Sequence, residues 1–191
     1  KVSAKEILES SIERIEEVDG DLNALPEKCF DRARKLALKI DKGLSPRTPT
    51  DLLGLPIAVK DYNDLSGVRT TYGSTIFRNN VPKESDRTIK ILERNGANPV
   101  AKSNVPEWAG GHTFNPVNGL TRNPWDVSKS AGGSSGGSAS ALASGQVFLA
   151  TGNDLGGSLR TPAGFNGIVG LRPSPGLIPR GERYMPFDML W

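Results

Sequence analysis

The sequence predicts an α/β protein in which helices flank a mixed, largely buried sheet. Segments with helical periodicity alternate with short runs that are apolar throughout, as internal strands of a layered fold are. At 191 residues and 36% hydrophobic content, the chain suffices for one core or for part of a larger domain.

Each element has a local reason. Ser3 and Glu6 have the spacing of a capping box, and Leu8, Ile12 and Ile15 recur at helical spacing until Asp19-Gly20. A second helix is expected from Pro26, with Phe30, Ala33, Ala37 and Ile40 on one face and Gly43 as its stop. Leu44 to Asp51, with Ser45, Pro46, Thr48 and Pro49, reads as a loop. Gly54-Leu55-Pro56-Ile57-Ala58-Val59-Lys60-Asp61 follows as a short buried strand that delivers a lysine at its end. Thr70 to Val81 is polar and irregular. Ser85 or Asp86 then caps a helix carrying Ile89 and Leu92 and closing at Asn95-Gly96, before a short strand at Pro99-Val100-Ala101-Lys102. Ser134 to Ser144, rich in glycine, alanine and serine, suits a helix whose small face packs against backbone. Gln146 to Ala150 continues as a buried strand, Leu159 to Phe165 opens another helix, and Ile168-Val169-Gly170-Leu171 is a candidate strand before Pro173, Pro175 and Pro179.

Composition excludes several classes of function. Twenty-four basic and 21 acidic residues give a net charge of only +3, and they are interspersed, so no nucleic-acid or anionic-membrane partner is expected. The single cysteine, Cys29, excludes an internal disulfide and a cysteine-built metal cage, and reads as a half-buried small hydrophobe. No apolar run approaches the ~18 residues of a membrane span. Lys1 is not a start methionine, so a targeting segment could precede it, and a cytoplasmic location is a default expectation.

The chemistry concentrates on two glycine-paved loops that each carry a serine: Gly132-Gly133-Ser134-Ser135-Gly136-Gly137-Ser138 and Asp154-Leu155-Gly156-Gly157-Ser158-Leu159-Arg160. Glycine at this density costs folding entropy, so it marks backbone that must adopt unusual dihedrals or admit a close neighbour. Gly133-x-Ser135-x-Gly137 fits a nucleophile elbow, but that fold needs its histidine after the serine, and the only histidine, His112, precedes it. A His-Asp-Ser order through His112, Asp126 or Asp154, and Ser158 is formally allowed; otherwise His112 is an ordinary loop residue. No Gly-Lys-Ser/Thr follows the glycines and the dinucleotide spacing fails, which leaves phosphate binding a weak alternative.

Lys60 is the other base candidate. Neutralising a lysine at pH 7 costs about 4.6 kcal/mol, so its site would have to depress its pKa by burial or by positive neighbours. An end-of-strand position after Ile57-Ala58-Val59 suits burial; the competing reading is a lysine that emerges into water and pairs with Asp61. Leu155-Gly156-Gly157-Ser158 runs into a helix start, where successive N–H groups could converge on a developing oxyanion, or where Ser158 could serve as an N-cap. Asp154 and Arg160 read as partners that brace this loop.

Gly54 to Asp61, Gly132 to Gly145 and Gly152 to Pro162 together resemble the amidase signature family, the Ser-cisSer-Lys amidohydrolases. Similar patterns lie between them: Lys102-Ser103-Asn104-x-x-Glu107, Thr113-x-Asn115-Pro116 and Thr121-Arg122-Asn123-Pro124-Trp125. The resemblance implies Ser158 as nucleophile, Ser134 as a bridging serine on a cis peptide and Lys60 as base. It also implies the backbone of Leu155, Gly156, Gly157 and Ser158 as oxyanion hole, and no cofactor or metal. The implied reaction is hydrolysis of a small-molecule amide through an acyl-enzyme. The alternatives are the glutaminase-type component of a tRNA-dependent amidotransferase and a catalytically silent binding chain. Tyr62 stands where many relatives have asparagine, Asn153 replaces threonine or serine, and Asn98-Pro99 interrupts a usually aliphatic strand. The family continues for more than as much again beyond Trp191. Residues 1–191 are therefore expected to be the N-terminal portion of a single domain that needs its remainder or a complementary chain.

Overall fold

The computed structural model describes residues 2–43 and 52–178; the loop expected at Leu44 to Asp51 and the break at Pro179 lie outside the described residues. Helix α1 (Ala4–Leu22) is capped by Ser3, whose side chain accepts from Glu6 N–H while the Glu6 carboxylate accepts from Ser3 N–H. It runs past Gly20 and ends at Asn23 in the left-handed conformation. Gly20 does not stop it because the buried Asp19 carboxylate bonds the N–H groups of Ala24 and Leu25 and closes the end from inside.

The second helix starts later than Pro26 predicts. Glu27–Lys28 forms β1 instead, and α2 spans Phe30–Asp41. Pairing of Glu27 and Lys28 with Lys102 and Ala101 outweighs the preference of proline for a helix start. Strand β2 (Pro56–Lys60), helix α3 (Arg87–Arg94) and strand β3 (Asn98–Ser103) follow, both strands buried along their whole length. Asn98 and Pro99 do not break β3. Pro99 pairs with Ile57 and Ala101 with Ala58, so Val100 is an extra residue, and this irregularity beside the proline absorbs its missing N–H.

Two short antiparallel pairs, β4 (Phe114–Asn115) with β5 (Gly119–Leu120) and β6 (Arg122–Asn123) with β7 (Asp126–Ser130), precede α4 (Gly136–Ala143). Strand β8 (Leu149–Ala150) and helix α5 (Arg160–Asn166) complete the described elements. The mixed sheet runs β1-β3-β2-β8, with β1 antiparallel to β3 and the other pairs parallel. No described helix is long and apolar enough to cross a membrane.

Each face of the sheet has its own core. Leu8, Ile12 and Ile15 of α1 and Ala33, Ala37 and Ile40 of α2 pack with Ala58, Ala101 and Ala141 on one face. Ile57 and Val59 pack with Leu65, Val68 and Ile89 on the other. Alternation along β2 therefore sends Lys60 to the same face as Ala58, toward α4. Ile168 to Leu171, expected as a strand, has no ladder partner among the described residues, and Val169 is 92% exposed. An apolar run becomes a strand only where a neighbour supplies its hydrogen bonds, and β8 is the last paired strand on that side.

Candidate active site

Lys60 ends β2 with its side chain fully buried. Its ammonium donates to Ser134 Oγ and Ser135 Oγ, each at 2.8 Å, and to Asn153 Oδ1. Lys60 N–H donates to Thr151 Oγ1 at 2.8 Å, which fixes the strand end that carries the amine. Burial lowers the Lys60 pKa to about 7, with the Asp154 carboxylate acting weakly the other way. A neutral amine has two N–H donors and one lone pair, so one of the three contacts then reverses. Asn153 Oδ1 only accepts, which leaves a serine hydroxyl to donate to the lone pair.

The Gly133–Ser134 peptide is cis. Gly133 sits where a β-carbon would lie 2.1 Å from Gly111 O, and a β-carbon at Gly137 would lie 2.3 Å from Asn104 N. Those approaches pull the start of α4 against the Lys102-Ser103-Asn104 segment and bring Ser134 and Ser135 over the lysine. Ser138 continues the polar layer, contacting Ser103 Oγ at 2.6 Å and donating to Thr151 O.

Ser158 lies in the second loop, half-buried, and its carbonyl accepts from Ser135 N–H at 3.3 Å. Its hydroxyl makes no hydrogen bond to another described residue, so the link to Ser134 that the expected relay requires is not made. The loop is braced as expected: Asp154 accepts from both Arg160 Nε and Nη2 at 2.9 Å, and Arg172 Nε lies 3.5 Å away. The Arg160 guanidinium, with the backbone N–H groups of Gly157, Leu159 and Arg160, holds the Asp154 carboxyl well below the usual carboxylate range, against the opposing effect of burial. Gly157 N–H is thereby committed to Asp154 Oδ1 at 2.7 Å. Of the four backbone groups expected to meet an oxyanion, those of Leu155, Gly156 and Ser158 have no acceptor among the described residues. A cavity of about 890 Å³, lined by Ser135, Asn153, Leu159, Val147 and Ile168 among others, opens beside this cluster.

The alternative triad is not assembled. His112 Nδ1 contacts Ser130 Oγ at 2.8 Å and its ring lies against Phe165, while Asp126 binds Ser128. Cys29 is half-buried with its thiol on Pro99 O, and burial pushes its pKa up to about 12, the value of an inert thiol. Sequence reasoning missed Ser135, which it met only as part of a false elbow, and Thr151. It noticed Asn153 only as a departure from pattern, although a polar residue ending an apolar run beside a glycine loop was the available signal.

The Amidase family model matches residues 6–187. The chain belongs to the amidase family. Among amidases, a glutamyl-tRNA(Gln) amidotransferase subunit of Cyanothece sp. is 41% identical over 180 residues, covering 93% of this chain and 37% of that protein. A bacterial aryl acylamidase of the amidase signature family superposes with a TM-score of 0.88 at 32% identity, over 96% of this chain and 39% of that one. A peptide amidase bound to the competitive inhibitor chymostatin gives 0.82 at 31% identity, over 90% and 37%. The chain thus spans little more than a third of the length of these amidases.

Proposed function

We propose that the protein is an amidohydrolase that cleaves a carboxamide through an acyl-enzyme on Ser158, with Lys60 as base and Ser134 as proton relay. The observation that carries this reading is a fully buried lysine, lowered to about 7, whose amine contacts a serine hydroxyl on the neighbouring glycine loop. In the first step Ser158 Oγ bonds to the amide carbon while its proton passes to Ser134 and the Ser134 proton to Lys60. Leu155, Gly156 and Ser158 N–H groups receive the oxyanion, and Gly157 keeps their loop in place through Asp154. Ser134 then protonates the departing nitrogen, Lys60 returns its proton, the C–N bond breaks, and water releases the acid by the reverse relay. Approach of Ser158 to Ser134 accompanies substrate binding, since hydrogen bonds of this kind commonly tighten only in the complex.

A second reading, the glutaminase-type component of a tRNA-dependent amidotransferase, uses the same triad and passes ammonia to a partner. It is favoured by the 41% identity to the Cyanothece amidotransferase chain over nearly all of this one. Residues 1–191 are, on either reading, the N-terminal portion of one domain acting in the cytoplasm. Mass spectrometry after incubation with a serine-directed fluorophosphonate should find one adduct, on Ser158, absent from Ser158→Ala; labelling elsewhere or an undiminished adduct in the variant removes the assignment. Glutaminase activity that appears only on copurification with partner chains would select the second reading, and hydrolysis of simple amides by the isolated protein the first.

A further inference from the structure

Lys102 is a second fully buried lysine, and the relay does not use it. Its ammonium is surrounded by oxygens of the loop that begins where Lys60 ends. It donates to Asn63 O and Thr70 Oγ1, each at 2.7 Å, and lies 3.1 Å from Asp61 Oδ1. Thr71 closes the other side of Asp61, donating through its N–H and, at 2.5 Å, its hydroxyl. Lys60 pairs with Ser103 across the parallel ladder and Lys102 with Val59, so the two amines leave adjacent strands toward opposite faces. One has a carboxylate in contact. The other meets only two hydroxyls and an amide oxygen.

We propose that Lys102 is a positioning residue for the base: by engaging Asp61, the residue next to Lys60, it neutralises that carboxylate and so sets the pH above which Lys60 accepts a proton. The proposal rests on Lys60 being the base. An unpaired carboxylate within a few ångströms favours the ammonium form of a lysine, and a lone cation there disfavours it. Joined as a pair, Asp61 and Lys102 leave burial to dominate at Lys60.

The surrounding charges are accounted for. Facing Lys60 is Asp154, itself covered by Arg160 and Arg172. Around Lys102 stand Asp64 and Asp86, Glu27 opposite it in β1 and paired with Arg69, and the Cys29 thiol, which burial keeps neutral. Burial depresses Lys102, and Asp61 is the largest influence opposing it.

The test is a side-chain NMR titration of Lys60 in the protein, its resonance assigned by loss in Lys60→Met, followed alongside the pH profile of fluorophosphonate labelling at Ser158. Asp61→Asn leaves Lys102 uncompensated and should lower the Lys60 midpoint by roughly 0.5–1 pH unit, while Lys102→Met should raise it by a similar amount. The double variant should return close to the wild-type midpoint, and the acid limb of labelling should follow each shift. A purely structural role predicts single variants that move together or not at all, and either result in folded protein overturns the proposal. Should Lys102→Met fail to fold, the Asp61→Asn midpoint decides: a fall supports the proposal, and an unchanged or raised midpoint overturns it. Midpoints that move in opposite directions while the labelling profile stays fixed would instead remove Lys60 as base.

Discussion

The loops that carry Ser134 and Ser158 have similar sequences, each with a glycine pair before its serine, yet the fold uses them differently. Around Ser134 the glycines are contact points: side chains at Gly133 or Gly137 would meet the backbone of Gly111 and Asn104. Around Ser158, Gly156 has nothing within 4 Å of where a β-carbon would stand, and Leu155 is 59% exposed. The first loop is held by packing on all sides. The second is held from one side by Asp154 and faces open space on the other, where a substrate carbonyl would lie. Equal glycine content therefore serves close approach in one loop and access in the other.

That contrast is open to attack at several points. The largest effect is expected from the group beneath the packed loop: Lys60→Met should slow fluorophosphonate labelling of Ser158 at least 100-fold, measured by intact-mass time courses. Labelling of the wild type should also fall about tenfold per pH unit below about 7, because lysine accepts a proton only when neutral and the ammonium predominates below that value. A profile flat from pH 5 to 8 would contradict this. Next in size, Gly137→Ala should destabilise the fold by about 3 kcal/mol or more, since its new β-carbon meets backbone that cannot turn aside; denaturant unfolding measures it. Asp154→Asn should cost about 1.5–3 kcal/mol through weakened charged hydrogen bonds to Arg160 and the loop N–H groups. Gly156→Ala should change stability by no more than about 0.5 kcal/mol. Equal costs at Gly137 and Gly156 would erase the distinction between the loops.

Much of this was legible in the chain. Capping at Ser3, the periodic face of α1, the buried strand ending at Lys60 and the helix after the first serine loop follow from spacing and residue type. Where local signals failed, pairing or its lack decided: Glu27 and Lys28 became a strand because β3 lay beside them, and Ile168 to Leu171 did not because no described neighbour reached them. The lysine and both serine loops were likewise legible as candidates. Ser135, Thr151 and Asn153 were not, because each gains its place only when β2, β8 and α4 converge from distant parts of the sequence.

The sequence by itself determined the inventory: which segments are helical, which are buried strands, and that a lysine and two glycine-flanked serines are the reactive groups. Only the tertiary structure decided their electrostatic character. Lys60 and Lys102 are both lysines at the ends of apolar strands, and nothing local tells them apart. Their environments do, because one is packed against hydroxyls and an amide while the other is packed against Asp61. A side chain's protonation follows from what surrounds it in space, and that surrounding exists only after the sheet has formed.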